Sequence, residues 1–256
     1  MKNKLPKDWA KEIEGKSVVI ATPMIDGSCC SNYLKSVVSS MSLLKDLHVN
    51  CNIMTLDGCS IIELARNTMV KGFLDSNADF LMFIDSDMGF DPAYIPLMMY
   101  FNKDVITGPS PQKQINWNSI NEAYKSGANF KLEDLPYIGG KYILQGLDSG
   151  TSFNVMDLTE LNWCGTGFTL IKREVFEGLE GVTKIIYSPQ GEYNLFFKVD
   201  YSEDGVFDGE DAYFTKLAKK NGFEIWLCPW MEITHVGKYD YVGDLKSVSK
   251  IGKTSS

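Results

Sequence analysis

The sequence contains no apolar run approaching the roughly 20 residues that a helix needs to cross a bilayer, so no stable membrane insertion is expected. Residues 1–8 are basic but lack the apolar core of a secretory signal, and the expected location is cytoplasmic. No Gly-x-Gly-x-x-Gly turn follows the first apolar strand, which speaks against a dinucleotide-binding Rossmann domain. A Gly-x-x-x-x-Gly-Lys-Ser/Thr loop is missing as well, which excludes a P-loop protein. Cys29, Cys30, Cys51, Cys59, Cys164 and Cys228 show neither paired metal-ligand spacing nor a disulfide framework, and read as reduced thiols. Positive charge is in deficit. The net charge of -8 argues against a general affinity for nucleic-acid backbones. Internal repeats and low-complexity segments are also absent.

What is present suits one well-cored domain: 256 residues, 44% hydrophobic and 23% charged. The organising stretch is Phe80-Leu81-Met82-Phe83-Ile84-Asp85-Ser86-Asp87. An unbroken apolar run of strand length reads as a central strand of a parallel sheet, buried on both faces. Asp85 and Asp87 then emerge at its carboxyl end, where open α/β sheets keep their ligand crevices. On an extended backbone, residues two apart point to the same side, so both carboxylates would face one hard divalent cation. The plain alternative is a strand that ends in an ordinary Asp-containing turn.

Around that stretch the pattern alternates. Residues 17–21 form a first strand, ended by a loop at Thr22, Pro23 and Met24. Over 32–45, Leu34, Val37, Val38, Met41 and Leu44 recur at helical spacing. Residues 49–54 form a second strand, and Ser60 to Glu63 fits a capping box opening a helix with the stripe Ile62, Ala65, Met69 and Phe73. Asp91-Pro92 fits an N-cap with proline at the first helical position, and 104–107 a fourth strand. Such alternation predicts a parallel sheet with right-handed crossovers. Residues 108–150 read as a lobe or lid, 154–167 as short strands, and 169–171 as a strand leading into a helix near Arg173. A strand over 193–200, a helix over 212–220, two last strands over 224–228 and 231–235, and a polar tail complete the expectation.

Several constellations carry chemistry. Gly209-Glu210-Asp211 opens a helix, where acidic residues simply suit the dipole, although a carboxylate there also serves as a general base. His235 ends an apolar strand and is either structural or a nitrogen ligand beside the two Asp residues. Arg66, followed by Asn67, falls beside the apolar stripe of its helix; it reads as a surface salt bridge or as a bidentate grip on a diphosphate. Trp163-Cys164-Gly165-Thr166-Gly167-Phe168 suggests close backbone approach to a ligand with aromatics beside it, or a simple bulge. Gln112, Lys113, Asn116 and Trp117 make a polar and aromatic patch on the expected lid.

Taken in order, these pieces resemble the GT-A fold glycosyltransferases, and most closely a group of small single-domain members from bacteria and phages. The resemblance rests on Glu63-Leu64-Ala65-Arg66-Asn67, Phe83-Ile84-Asp85-Ser86-Asp87-Met88-Gly89-Phe90, Ile115-Asn116-Trp117 and the run from Gly165 to Phe176. It continues with Gly209-Glu210-Asp211, Trp226-Leu227-Cys228-Pro229, His235-Val236-Gly237 and Gly243-Asp244-Leu245. It covers most of the chain. The family pattern has Ser-Glu-Asp where this chain has Gly209-Glu210-Asp211.

The resemblance implies an α/β fold with a mostly parallel central sheet flanked by helices, as a single domain. Within it, 17–108 would be the nucleotide-binding half, 109–245 the acceptor half and 246–256 a flexible tail. It implies a hexosyltransferase-like enzyme that moves a sugar from a UDP- or GDP-sugar to an acceptor hydroxyl, with inversion. Thr22, Pro23 and Met24 would edge base and ribose, Arg66 and Asn67 would lie near the ribose or diphosphate, and Ser86 near the donor. Asp85, Asp87 and His235 would hold Mn²⁺ or Mg²⁺. Asp211, with Glu210 beside it, would be the base. Gly165, Thr166 and Gly167 would border donor sugar and acceptor, with Lys113, Asn116, Trp117 and Trp163 toward the acceptor or lid. A glycan, a protein or a modified nucleobase would be the acceptor. The alternatives are a haloacid-dehalogenase-like phosphatase built on Asp85 and Asp87, and a catalytically inactive sugar-binding module.

Overall fold

The computed structural model describes residues 5–147, 154–188, 191–201, 205–240, 244 and 246. The chain opens with β1 (Ser17–Met24), α1 (Ser31–Asp46), β2 (Asn50–Asp57), α2 (Ile62–Asp75) and β3 (Phe80–Ile84). It continues with β4 (Met88–Gly89), α3 (Tyr94–Phe101), β5 (Val105–Thr107), α4 (Trp117–Lys125), α5 (Leu135–Ile138) and β6 (Leu144–Gly146). Next come β7 (Thr159–Cys164), β8 (Phe168–Lys172), α6 (Arg173–Leu179), β9 (Ile185–Ser188) and β10 (Gly191–Asn194). The last are β11 (Asp200–Tyr201), β12 (Phe207–Asp208), α7 (Glu210–Lys220), β13 (Ile225–Leu227) and β14 (Thr234–His235).

Side chains that alternate across two strands build two cores. Val18 and Ile20 of β1 and Phe80, Met82 and Ile84 of β3 point to one face, where α1 and α3 cover them with Tyr33, Val37, Leu44, Ile95 and Met98. Val19 and Ala21, with Leu81 and Phe83, point to the other, against Met69 and Phe73 of α2, Phe176 of α6 and Phe214 of α7. Every residue of β3 is buried. A strand covered by helices on both faces needs the continuous apolar run that the sequence shows.

The main sheet has eight strands in the order β2-β1-β3-β8-β5-β13-β7-β6. Its α/β class, with helices on both faces, is as the sequence predicts. β2, β1 and β3 pair in parallel, as do β5 and β13, while β8 enters antiparallel between β3 and β5 and β7 runs antiparallel to β13 and β6. Six of the eight strands therefore share one direction, and β8 and β7 oppose it. The carboxyl ends of β3, β5 and β13 and the start of β8 consequently meet at one edge. Residues 111–142 project from it as a small lobe closed by the Gln112 N–H to Lys141 carbonyl bond of 2.6 Å and the Asn116 N–H to Gly139 carbonyl bond of 3.0 Å.

Some local expectations are corrected. β1 runs on through Thr22, Pro23 and Met24, which stay paired with β2; β3 pairs only with Val18 to Ala21, so the edge facing Pro23 needs no N–H. Leu34 and Val38 are exposed, because α1 turns Tyr33, Ser36 and Ser40 to the core instead. There the Ser36 hydroxyl donates to the Phe90 carbonyl at 2.7 Å and accepts the Phe90 N–H at 3.0 Å. No capping box opens α2: Ile61 is its N-cap, and the Glu63 carboxylate accepts the Val199 N–H instead. Asp91 caps a turn through the Ala93 N–H at 2.8 Å, and α3 starts later. The strand expected over 193–200 is two short pieces, β10 and β11, and in the last expected strand only Thr234–His235 pairs. The expected tail, except Lys246, and Gly243 and Leu245 of the last motif lie outside the described residues. Among the described residues no helix is long and apolar enough to cross a membrane.

Candidate active site at the carboxyl end of the third strand

The chain leaves β3 in a turn held from three sides. The Asp85 N–H donates to the Gly167 carbonyl, the Ser86 carbonyl accepts the Cys30 N–H, and the Asp87 carbonyl accepts the Val236 N–H, each at 2.9 Å. The Met88 N–H closes on the Asp85 carbonyl at 3.0 Å. That turn breaks the pleat, and the Asp85 and Asp87 carboxylates take different partners while staying close enough to repel each other. They head two neighbouring clusters.

The first cluster is built on Arg66. The residue is 2% exposed, and its guanidinium lies against the Phe83 ring, 5.1 Å from the centroid. Nη2 donates to Asp85 Oδ1 at 3.3 Å, while Nε is 3.5 Å from Glu210 Oε1 and 3.4 Å from Asp211 Oδ1. Gly209 is the N-cap of α7, so Glu210 and Asp211 occupy its first turn, where the helix dipole favours negative charge. Burial works against the charge on Arg66, but Asp211, Asp85 and Glu210 together hold its pKa above the ordinary value. Burial raises the pKa of Asp85, against the pull of Arg66 and with the push of Asp211 and Asp87. Glu210 is raised by burial and by Asp211, opposed by Arg66. The Thr166 hydroxyl donates to Asp211 Oδ1. Gly167 permits the whole approach: a Cβ there would lie 2.8 Å from Asp85 Oδ2 and 2.8 Å from Met88 Cε.

The second cluster joins Asp87 to residues far along the chain. β14 pairs with β4, placing His235 opposite Met88 and its Nε2 3.1 Å from Asp87 Oδ1. His235 Nδ1 is 2.7 Å from the Pro111 carbonyl, which only accepts, so Nδ1 carries a proton, and in the imidazolium form Nε2–H points at Asp87. Asp87 Oδ1 is buried with no well-aligned hydrogen bond. Lys113 reaches from the lobe to Asp87 Oδ2, its stem lying across Gly237, where a Cβ would come within 3.2 Å. Burial raises the Asp87 pKa, but hydrogen bonds from His235 and Lys113 outweigh it and hold the carboxyl below its usual range. Burial lowers that of His235, and Asp87 with the Pro111 carbonyl carries it above its usual value.

The other expected site residues divide. Gly165 lies beside Asp211, 3.6 Å from Oδ2 to the position of a Cβ, and Ser86 sits between the two clusters. Asn67 is not turned to the carboxylates. Its amide donates to the carbonyls of Glu63 at 2.8 Å and Phe197 at 2.7 Å and accepts the N–H groups of Phe196 and Phe197, bracketing that loop. The Thr22 hydroxyl is buried against Tyr33 Oη at 2.6 Å, leaving Pro23 and Met24 half-buried at the strand end. Asn116 caps α4 through the Ser119 N–H at 3.1 Å, and Trp117 beside it is exposed. Trp163 Nε1 donates to Gln145 at 2.8 Å. Arg66 likewise faces the protein's own carboxylates. Pro111, which fixes the His235 tautomer, has no sequence signal; Phe83 beneath Arg66 follows from its place in β3.

Among the described residues no three His, Cys, Asp or Glu side chains converge as a ready-made metal cage. The donor set fits a hard or borderline cation at Asp87 and His235, whose geometry matches a histidine that gives its second N–H to a backbone carbonyl. Asp85 engages Arg66 through Oδ1.

No protein-family model matches the sequence, and no curated protein matches it. Among solved structures the chain is similar to S. aureus TarS 1-349, at 13% identity and a TM-score of 0.35, over 83% of this chain and 57% of that one. The same fragment in complex with UDP is 14% identical with a TM-score of 0.41, over 83% and 57% of the two chains. The chain thus spans just over half the length of the TarS fragment.

Proposed function

We propose that this protein is a metal-assisted glycosyltransferase that takes a nucleotide-diphospho-sugar donor and attacks it with an acceptor hydroxyl, inverting the anomeric centre. The observation that carries this reading is the convergence, at the carboxyl end of β3, of the Arg66 cluster of Asp85, Glu210 and Asp211 with the Asp87–His235 pair. One neighbourhood thereby offers a base and a cation-binding edge.

Asp87 and His235 would hold Mn²⁺ or Mg²⁺, which when bound supplies Lewis-acid neutralisation of the departing nucleoside diphosphate. Lys113, already on Asp87, adds a second positive charge at the same edge. Asp211 accepts the proton of the acceptor hydroxyl as that oxygen attacks the anomeric carbon and the bond from that carbon to the diphosphate breaks. Thr166 and Arg66 hold Asp211 Oδ1, so Oδ2 beside Gly165 is the atom that takes the proton. Arg66 keeps Asp85, Glu210 and Asp211 together without spending its charge on the donor. A phosphatase using Asp85 as nucleophile fits less well, because Oδ1 of that carboxylate is bound by a buried guanidinium.

The test is release of nucleoside diphosphate from a panel of nucleotide sugars, with and without Mn²⁺. Metal-dependent release by the wild type, absent in Asp211→Asn while nucleotide binding persists, is expected. Equal release by Asp211→Asn would overturn the base assignment.

A further inference from the structure

A cavity of about 630 Å³ opens beside His235, between the lobe and the segment from Leu227 to His235. Its volume lies in the range of small-molecule sites. One wall is His235 itself. Another is Leu144, next to Ile143, whose carbonyl accepts the Gly165 N–H at 2.9 Å; Gly165 adjoins Asp211. The cavity therefore begins at the cation edge and reaches β6, the strand that pairs with β7.

Resting on the transferase reading above, we propose that this cavity is the acceptor site and that it takes a neutral glycoside. Its chemistry is one-sided. Pro109, Pro111, Pro136 and Pro229 line it, and a proline contributes no backbone N–H. No lysine or arginine lines it among the described residues, and its one carboxylate is Glu232. Such walls are largely apolar, and their polar side chains are Tyr137, Tyr142, Thr234, Glu232 and His235. They suit a ligand with an apolar ring face and hydroxyl groups, and the Glu232 carboxylate disfavours an anion at its own wall. Tyr137 and Tyr142 give aromatic surface on which the C–H face of a pyranose ring packs, and both remain partly exposed at 61% and 44%. The Tyr137 hydroxyl lies 3.3 Å from Glu232 Oε1, so the aromatic surface and the carboxylate face the same space. A nucleic-acid acceptor would need a row of lysine or arginine side chains, and none is among the described residues that line the cavity.

The experiment is saturation-transfer NMR on the full chain with UDP or GDP and Mg²⁺ present. The neutral probes are methyl β-D-glucopyranoside, methyl β-D-galactopyranoside and methyl N-acetyl-β-D-glucosaminide. The anionic probes are glucose 6-phosphate and a single-stranded oligodeoxynucleotide. Transfer to at least one neutral glycoside is expected, weakened about tenfold in affinity by Tyr137→Ala and by the isosteric Glu232→Gln, with nucleotide affinity held within about twofold. Transfer to no neutral probe, equal transfer to the anionic ones, or indifference to both substitutions would overturn the proposal. Nucleotide binding without glycoside binding would sink this assignment and leave the donor site standing. Variant-sensitive glycoside binding without any nucleotide binding would keep the cavity as a glycoside site and refute the transferase.

Discussion

Replacing Arg66 with methionine tests the electrostatic centre of the site. Methionine keeps the stem that lies against Phe83 but deletes the one guanidinium that Asp85, Glu210 and Asp211 share. Breaking a buried ion pair by removing one partner costs about 3–5 kcal/mol, because the remaining charge stays buried and unpaired. Taking about 4 kcal/mol, the melting temperature of a chain of this size falls by about 10 °C. The sign of the pH dependence follows from the carboxylates. Burial already raises Asp85 and Glu210 while Arg66 pulls both down, so its loss raises them further. Unfolded Asp and Glu titrate near about 3.9 and 4.3. A group whose folded pKa is raised contributes stability that is fully present below the unfolded value and is lost as pH rises through the folded value. The penalty of Arg66→Met is therefore largest near pH 7.5 and shrinks as the pH falls toward 4.5. Urea unfolding of both proteins at the two pH values measures it. A loss under about 1 kcal/mol at pH 7.5, or one independent of pH, would refute the reasoning.

Gly167→Ala should destabilise by about 1–3 kcal/mol and weaken donor binding, since its Cβ meets Asp85 and Met88, whereas Gly181→Ala, with open space around it, should melt within about 2 °C of wild type. Asp87→Ala should abolish the metal dependence of nucleotide binding, read by calorimetric titration with and without Mn²⁺; binding that still responds to metal would remove Asp87 from the cation edge. Arg173 donates to the carbonyls of Phe73, Leu74, Ser76 and Ala78 at the end of α2 and lies 4.7 Å from the Phe73 ring centroid. Arg173→Ala should therefore cost about 3 kcal/mol in urea unfolding and leave nucleotide affinity within about twofold.

What the sequence made legible was whatever local pattern controls. The run 80–84 is apolar because both faces of β3 are covered, and its end at Asp85 marks the crevice. The first turn of α7 was equally readable from Gly209-Glu210-Asp211. Pairings between distant strands carry no such signal. Nothing local says that β8 slots antiparallel between β3 and β5, yet that insertion is what carries Gly167 to Asp85. Arg66 was half legible. Its spacing to Met69, Val70 and Phe73 puts it on the buried stripe of α2, where a guanidinium meets internal carboxylates. Period-two reasoning holds only while the backbone stays extended, and the turn to Met88 begins at Asp85, so the sequence does not tell that Asp85 meets Arg66 while Asp87 meets His235 and Lys113. The role of Asn67 has no local signal, because its partners Phe196 and Phe197 lie in an irregular stretch far along the chain, where the pattern reads as a strand.

The most direct test of the central claim is a thermal-shift panel of nucleoside diphosphates and nucleotide sugars, each with and without Mn²⁺, on wild type and Asp87→Ala. Binding to the folded state alone stabilises by about 2.7 kcal/mol at a hundredfold excess over Kd, a shift of about 5–10 °C for a chain of this size. The account predicts such a shift for one nucleotide class, present only with the metal and absent in Asp87→Ala. No shift with any nucleotide, with or without Mn²⁺, would contradict it.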